Sequence, residues 1–474
     1  MQTPAVATRL SSRAFEDLWE EVTDVSLPIT GTLPEGLAGT LYRVVPTAFD
    51  WPKGSFQHWF DGHGQLHAIA LDGRGGARYR SRFVQTEALA RSQATDRPVG
   101  CFGTRPSGML GGVLGNGYMG TANTNALRLG DRLYALQEGS RPVALDPVTL
   151  ETLGSEDLGA LTGGEGYSAH PHWDPERREA VAACLQFGRD PKVIVTSHGA
   201  AGSLGRRFEL ALPYMPSLVH DFGLSERHIV VPLFPHVFNP FKFLAGMASP
   251  AEAARWEPER GTCVLVTDRD GGNLRRYELP AMYSFHVLNC FDEQDTVVLD
   301  LVAFSSGAIL DAVGGVRTRG FSAFEAGRLE RLRLYRDGRV AAETLHPGTF
   351  EFPRIDPRRQ GKAHRYGYFV SSRQDAPETQ GEPFGAVARH DAKTGRLERW
   401  CAPAGHLVGE AVPVVKEGRA QEEAVWLLSM VYDPEAHRSR LVVLDGEDLA
   451  GGPVAEALLP NHLPLGFHGN FHRS

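Results

Sequence analysis

The chain repeats one pattern of apolar and polar positions seven times. In each copy an apolar strand leads into a turn rich in Asp and Gly, and a second strand follows, which is the pattern of a β-hairpin. A loose repeat of this kind is typical of propeller blades of four strands with inserted loops. The seven hairpins are predicted at 66–86, 142–157, 192–212, 262–280, 331–345, 385–400 and 440–459.

This pattern predicts an all-β chain that forms one seven-bladed β-propeller domain over residues 1–474. The 53 Gly and 31 Pro residues are scattered, which suits a fold with many turns, and no Pro/Ser-rich stretch marks a linker. A tandem of β-sandwiches is the alternative. The hairpins continue evenly to the C-terminus, which disfavours that alternative.

Two segments depart from the strand pattern. Residues 10–22 have the pattern of a short helix, whereas residues 234–247 carry four Phe residues in a predicted loop or short helix. The second segment is either an insertion packed above the propeller or an apolar lip. Such a lip would form a substrate entrance or dip into a membrane surface.

Composition limits which molecules the protein can bind and where in the cell we expect it. The formal net charge of −8 and the pI of about 6.1 disfavour a nucleic acid, whose phosphates need a basic surface. The five widely spaced cysteines do not form a disulfide framework, and no apolar run is long enough for a signal peptide or a membrane span. We therefore expect a cytoplasmic protein that at most lies on a membrane surface.

Four of the 18 histidines stand beside small or apolar residues next to a predicted strand: His170, His220, His286 and His468. The first three are 50 and 66 residues apart (220−170, 286−220), which is close to the spacing of the hairpins. Equivalent positions on the inner strands of a propeller point toward its axis, so such residues could meet in a metal site. His172 fits this pattern as well as His170 does, and the spacing leaves the choice open.

A second group of histidines has a local spacing that can mislead. His58, His63 and His67 include an H-x₃-H pair, which on a helix would place two zinc ligands on one face. The flanking residues predict a turn and a strand instead, so these three are not expected to bind metal.

Eleven ordered motifs run along nearly the whole chain, and with them the sequence resembles the carotenoid cleavage oxygenases. This family includes carotenoid and apocarotenoid cleavers, stilbene cleavers and the retinoid isomerase of the visual cycle. The motifs are LPEGLAGTLYR (33–43), QHWFDGHGQLH (57–67), RFVQT (82–86), TANTN (121–125), ALQEGSRPVALDPVTLETLG (135–154), SAHPHWD (168–174), VHDF (219–222), FHVLNCFDE (285–293), FEFPRID (350–356), VGEAVPV (408–414) and LPLGFHG (463–469).

The resemblance implies a seven-bladed propeller with a dome of loops and short helices over the metal face. It implies ferrous iron, Fe(2+), held by four histidines, and it selects His170 over His172. It also implies three glutamates that hold the outer ring nitrogens of the ligands. Motif by motif, the histidines are His170, His220, His286 and His468, and the glutamates are Glu138, Glu351 and Glu410.

The implied activity is the dioxygen-dependent cleavage of one carbon–carbon double bond in an apolar carotenoid or apocarotenoid polyene, giving two carbonyl products. Stilbene cleavers of the family typically have Lys before the first glutamate; Gln137 stands there and favours a polyene. Stilbene cleavage, non-oxidative isomerisation and a non-catalytic binding scaffold are the alternatives. Other departures from the family pattern are Val44–Val45, His63 and the weakened acidic run 421–424.

Overall fold

Short antiparallel strands are the main regular structure in the described part of the chain. The computed structural model describes residues 13–100, 102–105, 119–321, 324–325, 327–374 and 384–473. The strands in chain order are β1 (Val22–Ser26), β2 (Ile29–Gly31), β3 (Ala38–Thr47), β4 (Asp50–Trp51), β5 (Gly54–Ser55), β6 (His63–Asp72), β7 (Ala77–Phe83), β8 (Asn125–Leu129), β9 (Arg132–Leu136), β10 (Val143–Leu145), β11 (Thr152–Ser155), β12 (His172–Asp174), β13 (Glu179–Gln186), β14 (Lys192–Gly199), β15 (Leu204–Ala211), β16 (Gly223–Leu224), β17 (His228–Leu233), β18 (His236–Phe238), β19 (Ala254–Trp256), β20 (Thr262–Asp268), β21 (Arg275–Leu279), β22 (Val287–Glu293), β23 (Thr296–Ala303), β24 (Arg328–Tyr335), β25 (Val340–His346), β26 (Phe350–Ile355), β27 (Tyr366–Ser371), β28 (Ala386–Asp391), β29 (Leu397–Cys401), β30 (Leu407–Val408), β31 (Val412–Val415), β32 (Val425–Asp433), β33 (Arg438–Asp445), β34 (Pro453–Leu458) and β35 (Gly469–Arg473).

Seven sheets follow one another along the chain as the blades of a propeller. Their strand orders are β1-β7-β6-β3-β35 (blade 1), β11-β10-β9-β8 (blade 2), β12-β13-β14-β15 (blade 3), β16-β17-β20-β21 (blade 4), β22-β23-β24-β25 (blade 5), β26-β27-β28-β29 (blade 6) and β2-β34-β33-β32-β30, with β31 also on β32 (blade 7). The predicted seven-bladed propeller is thus confirmed. Each predicted hairpin is a pair of adjacent strands in one blade; it is the outermost pair in blades 2 to 6, whereas β1 and β2 lie outside it in blades 1 and 7.

Both ends of the described chain close the ring. The C-terminal strand β35 pairs with β3 as the innermost strand of blade 1. Near the other end, β2 pairs with β34 as the outermost strand of blade 7, while the preceding strand β1 lies in blade 1. The innermost strands also meet across blades, since β35 contacts β8, β16 contacts β22, and β22 contacts β26. Residues at the start of these strands therefore lie around one axis.

Burial separates the middle strands from the outer ones. In β14 every residue from Val193 to Ser197 is buried, because neighbouring blades cover both of its faces. In the next strand, β15, exposed and partly buried residues alternate, since one face meets water. The apolar runs that the sequence shows before each turn are therefore the strands packed between blades.

Helices are few and short. The α-helices are α1 (Glu87–Thr95), α2 (Pro240–Leu244), α3 (Ala308–Gly314) and α4 (Val316–Arg319), and 3-10 turns cover Arg13–Phe15, Trp59–Asp61, Pro258–Arg260, Pro357–Arg359 and Leu449–Gly451. Among the described residues, no helix has the length and apolar character needed to cross a bilayer. The turn at Trp59–Asp61 packs against α3, and these elements contribute to the predicted dome.

The helix predicted over residues 10–22 is wrong where the structure describes it. Only Arg13–Phe15 form a 3-10 turn, and residues 10–12 lie outside the described part. The backbone N–H of Leu18 donates to the hydroxyl of Thr47, and that of Val22 donates to the hydroxyl of Ser81. These backbone groups bond to blade 1, so the segment follows the sheet as an extended strap.

The segment 234–247 contains a short strand, β18, and the helix α2. Phe234 and Phe238 are each 8% exposed and pack inward, whereas Phe241 is 79% exposed. The four phenylalanines thus divide between core and surface; that the exposed part forms a lip stays a prediction.

Candidate metal centre

Four histidines stand at the start of four innermost strands. His170 lies two residues before β12, His220 lies three residues before β16, and His286 and His468 directly precede β22 and β35. Because these strands begin at the same end of the propeller axis, the four imidazoles meet there. One nitrogen of each ring lies within 4.8 Å of the others. Among the described residues, this is the one group of three or more His, Cys, Asp or Glu side chains placed to hold a metal ion.

The imidazole nitrogens face one another at short range. Nε2 of His286 lies 3.2 Å from Nε2 of His220 and 3.1 Å from Nε2 of His468. The ring centroids of His170 and His220 are 4.2 Å apart, and Nε2 of His170 is buried without a hydrogen-bond partner. A buried imidazole nitrogen without a partner is costly, and a shared cation would satisfy this nitrogen and its neighbours.

Three buried or partly buried glutamates contact the outer sides of three of these rings. Nδ1 of His220 contacts Oε1 of Glu138. Nδ1 of His286 lies 2.5 Å from Oε2 of Glu351, and Nδ1 of His468 lies 2.8 Å from Oε1 of Glu410. A carboxylate that accepts from Nδ1 places the free lone pair on Nε2, where a metal would bind. This arrangement was implied by the family resemblance, and the structure brings all seven side chains together.

Burial favours the neutral imidazole at His170 and His468, whereas at His286 the Glu351 carboxylate raises the pKa of the ring against the effect of burial. Burial lowers the pKa of His170 well below its usual value and lowers that of His468 to about 4. Burial works against ionisation of Glu410, but the charge of Arg354 and the hydrogen bonds from Arg354 and His468 lower its pKa nonetheless. Neutral imidazole is the form that binds a metal, so these two rings are in the binding form at neutral pH.

Two arginines that the sequence analysis did not identify contact Glu410 and hold its carboxylate in place. Nε of Arg354 donates to Oε1 of Glu410 at 2.8 Å, and its Nη2 donates to the carbonyl of Gly469 at 2.7 Å. Arg43 is 3% exposed; its Nη2 donates to the carbonyl of Phe467 at 2.9 Å, and its Nη1 lies 3.8 Å from Oε2 of Glu410. Both arginines stand inside motifs, but no local spacing marks them as partners of a residue far away in the chain.

His170 has a different environment. Among the described residues no carboxylate contacts its ring. Its backbone N–H donates to Oγ of Ser168 at 3.0 Å, and Nδ2 of Asn125 donates to the preceding carbonyl of Ala169 at 2.8 Å. The neighbouring His172 turns away from the cluster, with Nε2 2.7 Å from Oδ1 of Asp221.

The other histidines singled out in the sequence lie elsewhere. His63 contacts Oγ of Ser92 through Nε2 at 3.0 Å, and His67 contacts the hydroxyl of Tyr79 through Nδ1 at 2.7 Å. His58 accepts from the backbone N–H of Phe60. The three belong to a 3-10 turn and strand β6, as the flanking residues predicted, and the described metal-binding group does not include them.

An aromatic cavity opens directly onto the four-histidine cluster. It encloses about 760 Å³ of empty space, part of it continuous with solvent. Its polar groups gather at the metal end and the rest of its wall is apolar. The lining comprises Trp59, Phe60, Phe102, Thr124, Gln137, Glu138, Leu218, His220, Phe285, His286, Phe304, Ile309, Val313, Phe324, Glu351, Phe352, Phe384, Phe467 and His468.

A comparison with known protein families assigns the chain to one of them. The family model described as retinal pigment epithelial membrane protein matches residues 15–473. The chain belongs to this family, which is the carotenoid cleavage oxygenase family indicated by the eleven motifs.

Individual proteins of known activity or known structure are similar to this chain over nearly its whole length. The chain is 29% identical to an apocarotenoid-15,15'-oxygenase from Synechocystis over 467 residues, covering 96% of this chain and 93% of that one. It is 28% identical to a resveratrol cleavage oxygenase from Aspergillus fumigatus, covering 94% and 92%. The crystal structure of a cobalt-substituted Synechocystis apocarotenoid oxygenase superposes with a TM-score of 0.91 at 27% identity, covering 98% and 99%.

Proposed function

We propose that this protein is a non-haem Fe(II) dioxygenase that cleaves one carbon–carbon double bond of a carotenoid or apocarotenoid to give aldehyde or ketone products. The observation that carries the proposal is the convergence of four imidazoles, three of them backed by carboxylates, at the polar end of an aromatic cavity. The sequence relationship to carotenoid and apocarotenoid cleavage oxygenases supports it.

The residues present fit a metal ion held by His170, His220, His286 and His468. Two nitrogens bound about 2.1 Å from one ion stand about 3.0 Å apart at a right angle and about 3.4 Å apart at the tetrahedral angle. The two nitrogen pairs separated by 3.1 and 3.2 Å fall within this range, so these rings are spaced as ligands of one ion would be.

Iron is the metal that we propose because the reaction uses dioxygen. Imidazole ligands suit ferrous iron, whereas zinc, which imidazole also suits, has no redox chemistry. Ferrous iron bound there would supply the electrons that activate dioxygen toward the double bond. The histidines contribute no charge, and Glu138, Glu351 and Glu410 balance the cation from behind the rings.

The cavity wall holds the substrate. Phe285 and Phe352 pack against the rings of His220 and His286, and Phe467 directly precedes His468 in the same wall. These three rings would hold one segment of a flat polyene against the cluster. The remaining aromatic wall buries the rest of the chain without hydrogen bonds, because a polyene offers none. The wall also keeps water from the reacting bond, so which bond is cleaved depends on how deeply the substrate enters.

Cleavage of a stilbene is the second candidate, because a resveratrol cleavage oxygenase is among the relatives. A phenolic substrate needs a polar partner in the cavity. Gln137 lines the wall, and its Oε1 accepts from the backbone N–H groups of Thr121 and Ala122 at 2.6 and 3.2 Å. The position carries no cation, which favours the polyene. A purely structural scaffold would have no reason to keep all four histidines.

The decisive experiment is product analysis. Protein loaded with Fe(II) under anaerobic conditions is mixed with a panel of carotenoids, apocarotenoids and stilbenes in aerated detergent solution, and the products are separated by chromatography. We expect two carbonyl products from one polyene, matched by oxygen uptake. His220→Ala and chelator-treated wild type are the controls, and both should be inactive. Turnover of stilbenes alone would replace the proposed substrate class, and equal turnover without metal would contradict the iron-dependent function.

We further propose that residues 234–247 contact a membrane, from which an insoluble polyene must be taken. Phe241 is 79% exposed, Met247 64% and Leu244 42%, and all three surround α2 with Lys242 between them. Apolar side chains beside a lysine suit the boundary between lipid headgroups and acyl chains. Phe187, 51% exposed and 5.3 Å from the ring of Phe238, extends the same patch.

Liposome co-sedimentation tests this contact. A Phe241→Ser/Leu244→Ser/Met247→Ser variant should bind vesicles less than wild type, with normal turnover of substrate supplied in detergent. A Val148→Ser/Leu153→Ser variant removes apolar side chains that are similarly exposed (70% and 48%) at a distant site, and it should bind like wild type. Equal sedimentation of all three proteins would show that the segment is not the membrane contact.

A further inference from the structure

One buried carboxylate joins three of the four segments that carry the clustered histidines. Asp221 is 7% exposed, and its Oδ1 lies 2.7 Å from Nε2 of His172. The same oxygen accepts from the backbone N–H of Phe222 at 2.7 Å, and Oδ2 accepts from the backbone N–H of Val287 at 2.8 Å. These contacts link blades 3, 4 and 5 at one point.

The linked positions follow the histidines closely in sequence. Asp221 comes directly after His220, Val287 directly after His286, and His172 two residues after His170. A hydrogen bond at the next peptide fixes the plane and the direction from which the preceding side chain projects. One carboxylate therefore holds the peptide that follows His286 and, through the ring of His172, the segment of His170, and it belongs to the residue that directly follows His220.

Asp221 is not itself placed to bind the metal. Both of its oxygens already accept hydrogen bonds, and the described metal-binding group consists of the four histidines alone. A glutamate behind another ring likewise accepts hydrogen bonds both from an imidazole and from a backbone N–H. Glu410, for example, accepts from Nδ1 of His468 through one oxygen and from the backbone N–H of Gly469 through the other, at 2.8 and 2.9 Å.

We propose that Asp221, through its contacts with His172 and Val287, is a positioning residue that sets the metal geometry of His170, His220 and His286. The inference rests on the proposed metal-dependent function and adds a residue to it. His170 has no carboxylate on its ring among the described residues, and the His172–Asp221 contact gives its segment the attachment that the other rings receive from glutamates.

The chain offers a matched control in a second buried His–Asp pair. Nδ1 of His228 lies 2.6 Å from Oδ1 of Asp292, and this pair also joins blades 4 and 5. The side chain of Asp292 is 5% exposed and also accepts from the backbone N–H of Arg227 at 3.1 Å. It lies at the end of β22 opposite to His286, so its loss disturbs the same blades without touching the segments next to the cluster.

The test compares Asp221→Asn, His172→Ala and Asp292→Asn as apo-proteins titrated with Co(II), whose visible absorption bands report coordination geometry. We expect Asp221→Asn to weaken Co(II) binding by about 10–100-fold, as outer partners of metal ligands typically do, and to change the bands. His172→Ala should also weaken Co(II) binding and change the absorption bands, but less than Asp221→Asn does. Asp292→Asn should lower the unfolding temperature while leaving the Co(II) affinity and bands like those of wild type.

With the iron enzyme, Asp221→Asn should lower kcat while KM changes little, because the aromatic wall is intact. An Asp221→Asn protein with wild-type Co(II) affinity and bands would overturn the inference, and so would equal losses in Asp292→Asn. If Asp221→Asn does not fold, the same criterion applies to His172→Ala: wild-type Co(II) affinity and bands in that variant would overturn the inference. If wild type takes up no Co(II) or Fe(II), the proposed function itself fails, which is a distinguishable result.

Discussion

His468 and His170 occupy neighbouring corners of the same cluster, with ring centroids 4.4 Å apart, yet their supports differ. His468 is held by Glu410, and Glu410 is held in turn by Arg43 and Arg354. His170 is placed through its backbone, by Ser168 and by the His172–Asp221 contact two residues further on.

The neighbouring blades show what each corner relies on. His468 directly precedes β35, which pairs with β3, and Glu410 with its two arginines links this ring to blades 1, 6 and 7. His170 leads into β12, and its segment is linked to blades 2 and 4 through Asn125 and Asp221. The comparison teaches that a clustered histidine can be positioned either at its ring, by a charged network, or through the residues beside it in the chain.

The strongest challenge to this comparison is removal of the ligands themselves. His170→Ala and His468→Ala should each abolish activity and lower bound metal below one ion per chain, as should His220→Ala and His286→Ala, because each removes one of four donors. Metal content after dialysis and oxygen uptake measure both effects. Full metal content and activity in any one of these variants would remove that histidine from the proposed ligand set.

The next largest effect is expected from Glu410→Gln. The change leaves Arg43 buried without its counter-charge, which costs about 3–5 kcal/mol in the free energy of unfolding. It should also weaken metal binding by about 10–100-fold. Denaturant unfolding and metal titration report the two separately.

Glu351→Gln is the matched comparison for Glu410→Gln. The carboxylate of Glu351 accepts hydrogen bonds from Nδ1 of His286 and from the backbone N–H of Phe352. Among the described residues, no arginine contacts this carboxylate. It should weaken metal binding to a similar degree but destabilise the fold less. Equal losses of stability in the two variants would show that the arginines do not brace this corner.

A smaller effect is expected from Arg354→Lys. Lysine keeps the charge beside Glu410 but cannot reach Glu410 and the carbonyl of Gly469 together as the guanidinium fork does. We expect a loss of about 1–3 kcal/mol in the free energy of unfolding, with reduced metal affinity. If Arg354→Lys has wild-type stability, only the charge of Arg354 matters and not its geometry.

The smallest effect should come from the His170 corner. Ser168→Ala removes one acceptor for the backbone N–H of His170, at a cost of about 0.5–1.5 kcal/mol in the free energy of unfolding. Metal affinity should fall less than in Glu410→Gln. A loss of metal affinity as large as that of Glu410→Gln would mean that this corner, too, depends on one side chain.

The sequence by itself determined the blades. Strand pairs joined by short turns are local, so each predicted hairpin appears as two adjacent strands of one blade. The motifs also identified the four histidines and three glutamates that the structure brings together, although spacing alone could not separate His170 from His172. The predicted helix over 10–22 was wrong because its backbone groups bond to blade 1, a distant partner that local periodicity does not reveal. That the whole chain forms one domain stays a prediction.

Tertiary structure alone decided how the site is assembled. The seven residues come one from each blade: His468, Glu138, His170, His220, His286, Glu351 and Glu410 in the order of blades 1 to 7. No local spacing encodes such a ring, because its members meet only when β35 returns to β3 and closes the propeller. For the same reason Arg43, Arg354 and Asp221 emerge only from the folded structure, since each acts on a residue that another blade carries.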